Sequence, residues 1–357
     1  FSLKTKFLQI RYIKETLRLL GDGISSKKDG SVSSFQAFCI STASRVGTGN
    51  LAGIAIAISI GGPGAIFWMW LIAFIGSASS FVESTLAQIY KQKNDDGSFR
   101  GGPAYYIEKG LNKKWMGILF SILITITFGL IFNSVQSNTI TLAFNNAFGT
   151  GRLIVGIVLT LITMFAIFGG VHRIAKISEV LVPIMALAYI AVAIFTLIIN
   201  ITEIPSVIKL IFENAFGIKE FAGGTLGATM LMGIKRGLFS NEAGMGSSPN
   251  AAATADVTHP VKQGLIQTLG VFTDTMLICS CTAFIILLSG IDFTDTSISG
   301  IQITQKALSA QVGSWGNYFI AICILLFAFS SIVGNYYYGE SNIEFLTEKK
   351  SYLFVYR

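Results

Sequence analysis

Long apolar segments alternate with short polar segments along the whole chain, a pattern that predicts membrane-spanning helices. Each apolar segment is long enough to cross about 30 Å of hydrocarbon at about 1.5 Å per residue. The pattern predicts eight spans, at residues 34–60, 65–90, 115–144, 152–170, 174–199, 222–239, 264–289 and 315–338. The predicted fold class is therefore an all-α integral membrane protein, a polytopic helical bundle.

The first span contains a polar stretch where an uninterrupted helix is expected. Residues 46–50 read Val-Gly-Thr-Gly-Asn. Glycine tolerates backbone conformations that other residues resist, so a break is predicted here. The freed N–H groups suit a carboxylate, and the freed carbonyls with the Asn50 side-chain oxygen suit a hard cation such as Na⁺. The alternative is a packing face, because Gly49 and Gly53 form a small-xxx-small pair.

A second glycine-rich segment, residues 223–246, follows the fifth span and predicts another interrupted helix. Corresponding interruptions in two halves of a chain are typical of transporters built from inverted repeats. Asn241 and Glu242 are interpreted as a cytoplasmic gate or loop anchor within a long loop, residues 240–262. A purely structural role for that loop is the alternative. The candidates for lining a solute pocket are Thr225, Thr229, Met230 and Gly233.

Polar side chains also interrupt the third and eighth spans. Gln136 and Asn138, with Asn133 nearby, are candidates for hydrogen bonds to a zwitterionic solute, although contacts between helices or an early helix end also explain them. Ser330 and Ser331 are expected to supply two oxygens to Na⁺ opposite the broken helix. The alternative is that these hydroxyls bond the carbonyl groups four residues earlier.

Three ionisable residues lie within the predicted spans: Arg45, Glu83 and Asp274. A charged side chain inside a bilayer is costly unless it is paired or hydrated, so each is expected to pair or to function. Arg45 with Glu83 is a candidate pair between neighbouring spans.

Charge and composition set the orientation and narrow the function. The chain is 52% hydrophobic and 13% charged, with a net charge of +7. With the N-terminus inside, 21 of the 26 Lys and Arg residues fall in cytoplasmic segments and 4 in external ones, which predicts a cytoplasmic N-terminus. Because the basic residues follow the loops, they indicate membrane topology and not a nucleic-acid partner. Residues 1–33 are predicted to form a basic, amphipathic interfacial segment.

No enzyme class fits the sequence. The four cysteines lie in apolar segments without a metal-site neighbourhood, and the two histidines lie in basic loops. There is no Gly-x-Ser-x-Gly sequence and no histidine inside a span. A channel and a transporter-like sensor are less favoured alternatives to a carrier. No cofactor is expected.

Several motifs together resemble the alanine/glycine:cation symporter family. They cover nearly the whole chain and lie at residues 46–50, 61–70, 101–106, 236–247, 259–264 and 313–316. The resemblance implies the LeuT-type fold, with two inverted five-helix repeats and discontinuous helices. It also implies that this chain is a fragment with about eight spans, in which residues 34–200 form the first repeat and 201–357 an incomplete second repeat.

The resemblance further implies sodium-driven uptake of alanine or glycine across the inner (plasma) membrane by alternating access. Proton coupling, or a broader carrier of serine or glutamine, is the alternative. Carried over by position, the substrate's charged ends would meet Thr48, Gly49 and Asn50. The sodium ion would bind between the first and eighth spans at Ala43, Val46, Asn50, Phe327, Ser330 and Ser331.

Overall fold

The computed structural model is a bundle of helices with one short β-hairpin. It describes residues 1–25, 32–94, 97–168, 170–217, 226–293, 295, 297–298, 300–347 and 349–356. The first helices are α1 (Leu8–Arg11), α2 (Ile13–Ser25), α3 (Ser34–Arg45), α4 (Gly49–Gly61), α5 (Ala65–Ile89), α6 (Pro103–Leu111), α7 (Lys114–Phe148) and α8 (Arg152–Ile167). The others are α9 (Gly170–Ile199), α10 (Ile204–Ala215), α11 (Leu226–Asn241), α12 (Ser248–Thr254), α13 (Pro260–Leu287), α14 (Ile301–Val312), α15 (Trp315–Leu346) and α16 (Lys350–Tyr356).

Each of the eight predicted spans contains a helix. Within the described ranges, five helices have the length and apolar composition to cross a membrane, namely α5, α7, α9, α13 and α15, and the bent pair α3–α4 makes a sixth. The other two, α8 and α11, have 16 residues each, or about 24 Å at the helical rise. The start of the sixth predicted span, at residues 222–225, lies outside the described residues.

The predicted break in the first span is confirmed. A capping box at Ser33 and Gln36 starts α3, and Val46 leaves the helix with φ −81° and ψ 93°. The chain then resumes as α4, whose first turn at Gly49–Gly53 is a π-helix, at an angle of 49° to α3. The break therefore lies near the middle of a broken span.

The second break differs from the prediction. Residues 240–262 were expected to form a loop, but they contain the half-helix α12, and all seven of its residues are buried. The chain turns between α11 and α12 through positive φ angles at Glu242 (55°), Gly244 (81°) and Gly246 (77°). The Ala-, Ser- and Gly-rich composition suggested a loop, but small residues also allow a helix to pack closely against its neighbours. Asn241 and Glu242 accordingly lie at a buried break.

Two of the polar connections contain secondary structure. Strands β1 (Gln92–Lys93) and β2 (Phe99–Arg100) pair antiparallel before α6. The helix α14 lies in the second half of the segment at 290–313, and Thr304 donates a hydrogen bond of 3.0 Å to the Leu51 carbonyl in α4. This connection therefore reaches the first broken helix.

The N-terminal segment is helical and amphipathic. Leu8 and Leu19 are buried, while Ile13 and Leu17 are exposed beside basic residues. A mixed apolar and basic surface suits the membrane interface. That location stays a prediction, as does the division into repeats at residues 34–200 and 201–357.

Close packing of α11 on α5 gives a first prediction. A Cβ atom at Gly233 would lie 2.3 Å from the Ala65 carbonyl oxygen and 2.7 Å from the Trp68 Cβ. Gly233→Ala is therefore expected to destabilise the fold by about 1–3 kcal/mol through overpacking. The melting temperature of the purified protein in detergent measures the effect.

The matched control is Gly21→Ala in α2, where no atom of the described residues lies within 4 Å of the added Cβ. This substitution is expected to leave the melting temperature unchanged or slightly higher, because alanine favours helix more than glycine. Equal melting temperatures for Gly233→Ala and the parent protein would contradict the packing described for α11.

Candidate ion and solute site at the first helix break

Five oxygen atoms gather between the end of α3 and the middle of α15. The Ser331 Oγ lies 3.0 Å from the Ala43 carbonyl oxygen, 3.3 Å from that of Val46 and 3.1 Å from that of Phe327. The Ser330 Oγ lies 2.8 Å from the Phe327 oxygen and 3.3 Å from the Ala43 oxygen. All five residues are buried. We refer to this group as the oxygen cluster.

The oxygen cluster contains more acceptors than hydrogens. Three carbonyl oxygens face two hydroxyl groups, and each hydroxyl carries one hydrogen. The carbonyls of Ala43 and Val46 are available because the helix ends at the break. Neutral oxygens with spare lone pairs suit a hard monovalent cation such as Na⁺. Five of the six residues assigned to sodium from the sequence therefore come together.

Asn50, the sixth residue, has different partners. Its Oδ1 accepts a hydrogen bond from the Gly47 N–H at 2.8 Å, and its Nδ2 donates to the Asp274 Oδ1 at 2.6 Å. The Asn50 oxygen therefore contacts its own backbone, and among the described contacts it is not paired with the oxygen cluster. Asn50 instead joins the break to α13.

The N–H groups after the break are covered by an amide. The Oε1 of Gln136, on α7, accepts hydrogen bonds from the Thr48 backbone N–H at 2.9 Å and the Thr48 hydroxyl at 2.6 Å. A Cβ at Gly47 would lie 2.9 Å from the same Oε1 and 2.3 Å from the Ser331 Oγ. The amide oxygen thus occupies the position that a carboxylate oxygen would take at the positive end of α4.

Asp274 adds a negative charge beside this position. It is fully buried, and its carboxylate accepts hydrogen bonds from Asn50, from Ser240 at 3.2 Å and from Thr275 at 2.8 Å. The sequence showed that Asp274 is ionisable and lies within a span, but did not place it at the site. It lies in the π-helical segment Phe272–Cys279, which shifts side chains out of the regular helical phase.

Other candidates lie elsewhere. Asn138 accepts a hydrogen bond from the Arg152 guanidinium at the start of α8, and Met230 is 40% exposed. Thr229 and Gly233, four residues apart, share one face of α11, and Gly233 packs against α5. The α11 residue that faces the break is Ser240, whose Cα would lie 3.1 Å from a Cβ at Gly49. The packing of Gly233 on α5 and of Ser240 on Gly49 therefore sets which side chains of α11 face the break.

Arg45 and Glu83 do not form the pair suggested by the sequence. Arg45 donates to the Ser80 Oγ at 3.2 Å and to the Gln267 carbonyl at 3.3 Å. Glu83 accepts hydrogen bonds from the backbone N–H groups of Gly244 and Gly246, both at 3.2 Å. The carboxylate of Glu83 therefore anchors the second break, because it satisfies N–H groups that the turn leaves free.

A family model and two named relatives match this chain over its full length. A family model described as "Sodium:alanine symporter family" matches residues 1–357. A Bacillus subtilis (strain 168) protein named "Probable sodium/glutamine symporter GlnT" is 62% identical over 357 residues, which cover 100% of this chain and 74% of that protein. The amino-acid carrier protein AlsT of the same organism is 56% identical over 357 residues, covering 100% of this chain and 76% of that protein.

A solved structure shows the same fold. The crystal structure of MhsT in complex with L-phenylalanine has a TM-score of 0.64 and covers 89% of this chain and 78% of that chain. The sequence identity is 15%, so the likeness concerns the fold alone. It confirms the expected LeuT-type architecture with discontinuous helices.

The crowding at Gly47 gives a second prediction. A methyl group there would displace the Ser331 hydroxyl and the Gln136 amide, so Gly47→Ala is expected to abolish Na⁺ binding. Saturation at about 100 times Kd stabilises a protein by about 2.7 kcal/mol. The measurement is the melting temperature of the purified protein in NaCl compared with choline chloride, and the variant is expected to lose the difference.

Gly53→Ala is the control in the same helix. In the part of the chain that the structure describes, a Cβ at this position has one neighbour within 4 Å outside its own helical turn, the Thr48 carbonyl oxygen at 3.7 Å, which is an ordinary contact. This variant is expected to retain the Na⁺-dependent shift. An undiminished shift in Gly47→Ala would show that Na⁺ binds elsewhere.

Proposed function

The chain belongs to the sodium:alanine symporter family, and from that premise we propose that it uses Na⁺ to import a small neutral amino acid, alanine or glycine. Family membership makes it a multi-pass, cation-coupled amino-acid symporter and not an enzyme. The choice of alanine or glycine, and the residues that bind them, belong to the proposal.

The observation that carries the proposal is that one helix break offers groups for a cation and groups for a carboxylate. Carbonyls before Gly47 point into the oxygen cluster, and the Thr48 N–H after it meets an acceptor oxygen. A cation and a carboxylate bound at the two sides of one break would stabilise each other and the same backbone conformation. Coupling between ion and solute follows from this shared element.

The solute is proposed to bind by its two charged ends. Its carboxylate would replace the Gln136 oxygen at the Thr48 N–H, and its ammonium group would meet the Asp274 carboxylate. The hydrogen bond from Asn50 to Asp274 links the two positions. The close approach of Ser240 to Gly49 leaves little space on that side of the break, which favours a short side chain.

A glutamine carrier is the second candidate. The observation that favours it is the 62% identity to the relative named as a sodium/glutamine symporter. Competition of labelled alanine uptake by unlabelled glycine, serine and glutamine separates the two candidates, because only a pocket that accepts a long side chain will be inhibited by glutamine at low concentration.

Orientation and movement complete the proposal. The N-terminus is placed in the cytoplasm and the protein in the plasma membrane, on the distribution of Lys and Arg residues. A four-helix unit formed by the first, second, sixth and seventh spans would rock against the remaining helices. One charge moved through 100 mV supplies about 2.3 kcal/mol, which corresponds to about 50-fold accumulation.

Removal of one hydroxyl tests the sodium site. Ser331→Ala deletes the oxygen that contacts three carbonyl groups, so the Na⁺ concentration for half-maximal uptake is expected to rise at least about tenfold. Counterflow of labelled alanine in proteoliposomes preloaded with unlabelled alanine measures this at a series of Na⁺ concentrations. It also separates a carrier from a channel, since a pore produces no transient accumulation.

Ser289→Ala is the matched control, because its hydroxyl bonds the Ile286 carbonyl after the end of α13. Its Na⁺ dependence is expected to equal that of the parent protein. If Ser331→Ala also shows normal Na⁺ dependence, the oxygen cluster is not the coupling site.

A second test addresses the ammonium position. Asp274→Asn retains the shape but removes the charge, and hydrogen bonds to charged groups contribute about 1.5–3 kcal/mol. The half-saturating alanine concentration is therefore expected to rise about 10- to 100-fold. Asp295→Asn, at a half-exposed carboxylate 3.7 Å from Lys306, is the control and is expected to leave it unchanged. An unaltered affinity in Asp274→Asn would place the ammonium elsewhere.

A further inference from the structure

Glu242 is a buried carboxyl group with an unusual set of neighbours. It is 2% exposed and lies at the second break, with a backbone φ of 55°. Its Oε2 accepts a hydrogen bond from the Ser247 hydroxyl at 2.6 Å, and its Oε1 lies 3.0 Å from the Ser44 Oγ. Among the described residues it forms no ion pair. A buried carboxylate without a cation is costly.

The Ser44 hydroxyl has two oxygen neighbours but only one hydrogen to donate. The Ser44 Oγ lies 2.6 Å from the Asn335 Oδ1 as well as 3.0 Å from Glu242. The Asn335 amide is oriented by its Nδ2, which donates to the Asn133 Oδ1, and Asn133 in turn donates to the Gly129 carbonyl, which only accepts. Asn335 therefore presents an acceptor to Ser44.

A serine hydroxyl has one hydrogen, and the shorter contact with Asn335 takes it. The contact between Ser44 and Glu242 then joins two oxygens and needs a second hydrogen. We propose that Glu242 supplies it as a protonated carboxyl group, and that this proton is a second coupling ion of the carrier. The inference rests on the proposed function of sodium-coupled symport.

The other two buried carboxyl groups described above accept hydrogen bonds from more donors than Glu242 does. Asp274 accepts from three side chains, and Glu83 accepts from two backbone N–H groups. The charged or titratable groups that interact with Glu242 are Arg45 on α3, Asp274 on α13 and Tyr338 on α15, and Arg45 also interacts with Glu83 on α5. One cation among three carboxyl groups leaves excess negative charge, which favours protonation of the carboxyl with the fewest donors.

The position of Glu242 links its proton to the transport cycle. Ser44 belongs to the half-helix before the first break, and Glu242 belongs to the second break. Movement of one half-helix away from the other separates the two oxygens and admits water. The O–H bond of the carboxyl group then breaks, the proton passes to a water molecule, and the carboxylate takes a proton back before the two breaks close again. No electron is transferred.

The test uses the full-length carrier in proteoliposomes and the variant Glu242→Gln, whose amide donates to Ser44 without exchanging a proton. Sodium-dependent counterflow of labelled alanine is measured across a pH series. Net alanine uptake driven by a Na⁺ gradient is measured separately, with a trapped pH dye that records proton movement. In the parent protein we expect the counterflow rate to change by a limiting factor of about ten per pH unit, as the binding of one proton requires. Glu242→Gln is expected to retain counterflow but to lose both this pH dependence and the proton movement.

The control is Glu179→Gln on α9, a half-buried carboxyl that accepts a hydrogen bond from Gln36 at 2.9 Å. It is expected to keep the pH response. A pH-independent parent protein, or an unchanged pH response in Glu242→Gln, overturns the proton site while sodium coupling stands. Absence of sodium-dependent counterflow in the parent protein overturns the proposed function instead.

Two further measurements remain decisive if Glu242→Gln does not fold. Ser44→Ala removes the acceptor of the carboxyl hydrogen, so the pH profile is expected to move to lower pH, and an unmoved profile contradicts the proposal. Infrared spectroscopy of the purified parent protein is independent of transport. It is expected to show the carbonyl band of a buried protonated carboxyl group that Ser44→Ala shifts, and an absent band contradicts the proposal.

Discussion

A backbone N–H or C=O freed inside a bilayer has no water to bond with, and this constraint governs both broken helices. At the first break, side chains of Gln136 and Asn50 accept from the N–H groups, and Ser331 donates to the carbonyls. At the second break, Glu83 accepts from two glycine N–H groups. The partners come from other helices, so each break orders the helices around it.

The same constraint explains the close packing of α12. The last carbonyl groups of this short helix accept hydrogen bonds from Gln88 at 2.5 Å and, just beyond its end, from Lys91 at 2.6 Å. These donors reach the helix because its alanine and serine side chains permit a close approach to α5. Small residues thus serve to satisfy polar backbone groups as well as to pack.

The side chains that hold the first break can be replaced by ligand atoms of the same chemical kind. Partners at the first break, such as the Gln136 oxygen, are of the same chemical kind as a substrate carboxylate, and the Ser331 hydroxyl occupies the place of a cation-binding oxygen. On the proposed function, an ion and a solute would take the places of these internal partners. MhsT shares this fold at 15% sequence identity, so the architecture does not require the same side chains throughout.

The sequence by itself determined the features that depend on local composition. Apolar length located a helix in each of the eight predicted segments, glycines between polar residues located the first break, and adjacent serines in an apolar helix located one half of the oxygen cluster. The family motifs supplied the carbonyl positions, which match the cluster found in the structure. Each of these signals lies within a few residues of the feature that it predicts.

Only the tertiary structure decided which side chains meet across the bundle. Residues 248–254 form a buried half-helix because neighbouring helices accept small side chains there, although their composition resembles a loop. A π-helical segment turns Asp274 toward Asn50, and packing on α5 turns Ser240 instead of Met230 toward the break. Helical phase and long-range pairing depend on contacts between residues up to hundreds of positions apart, so no local pattern contains them.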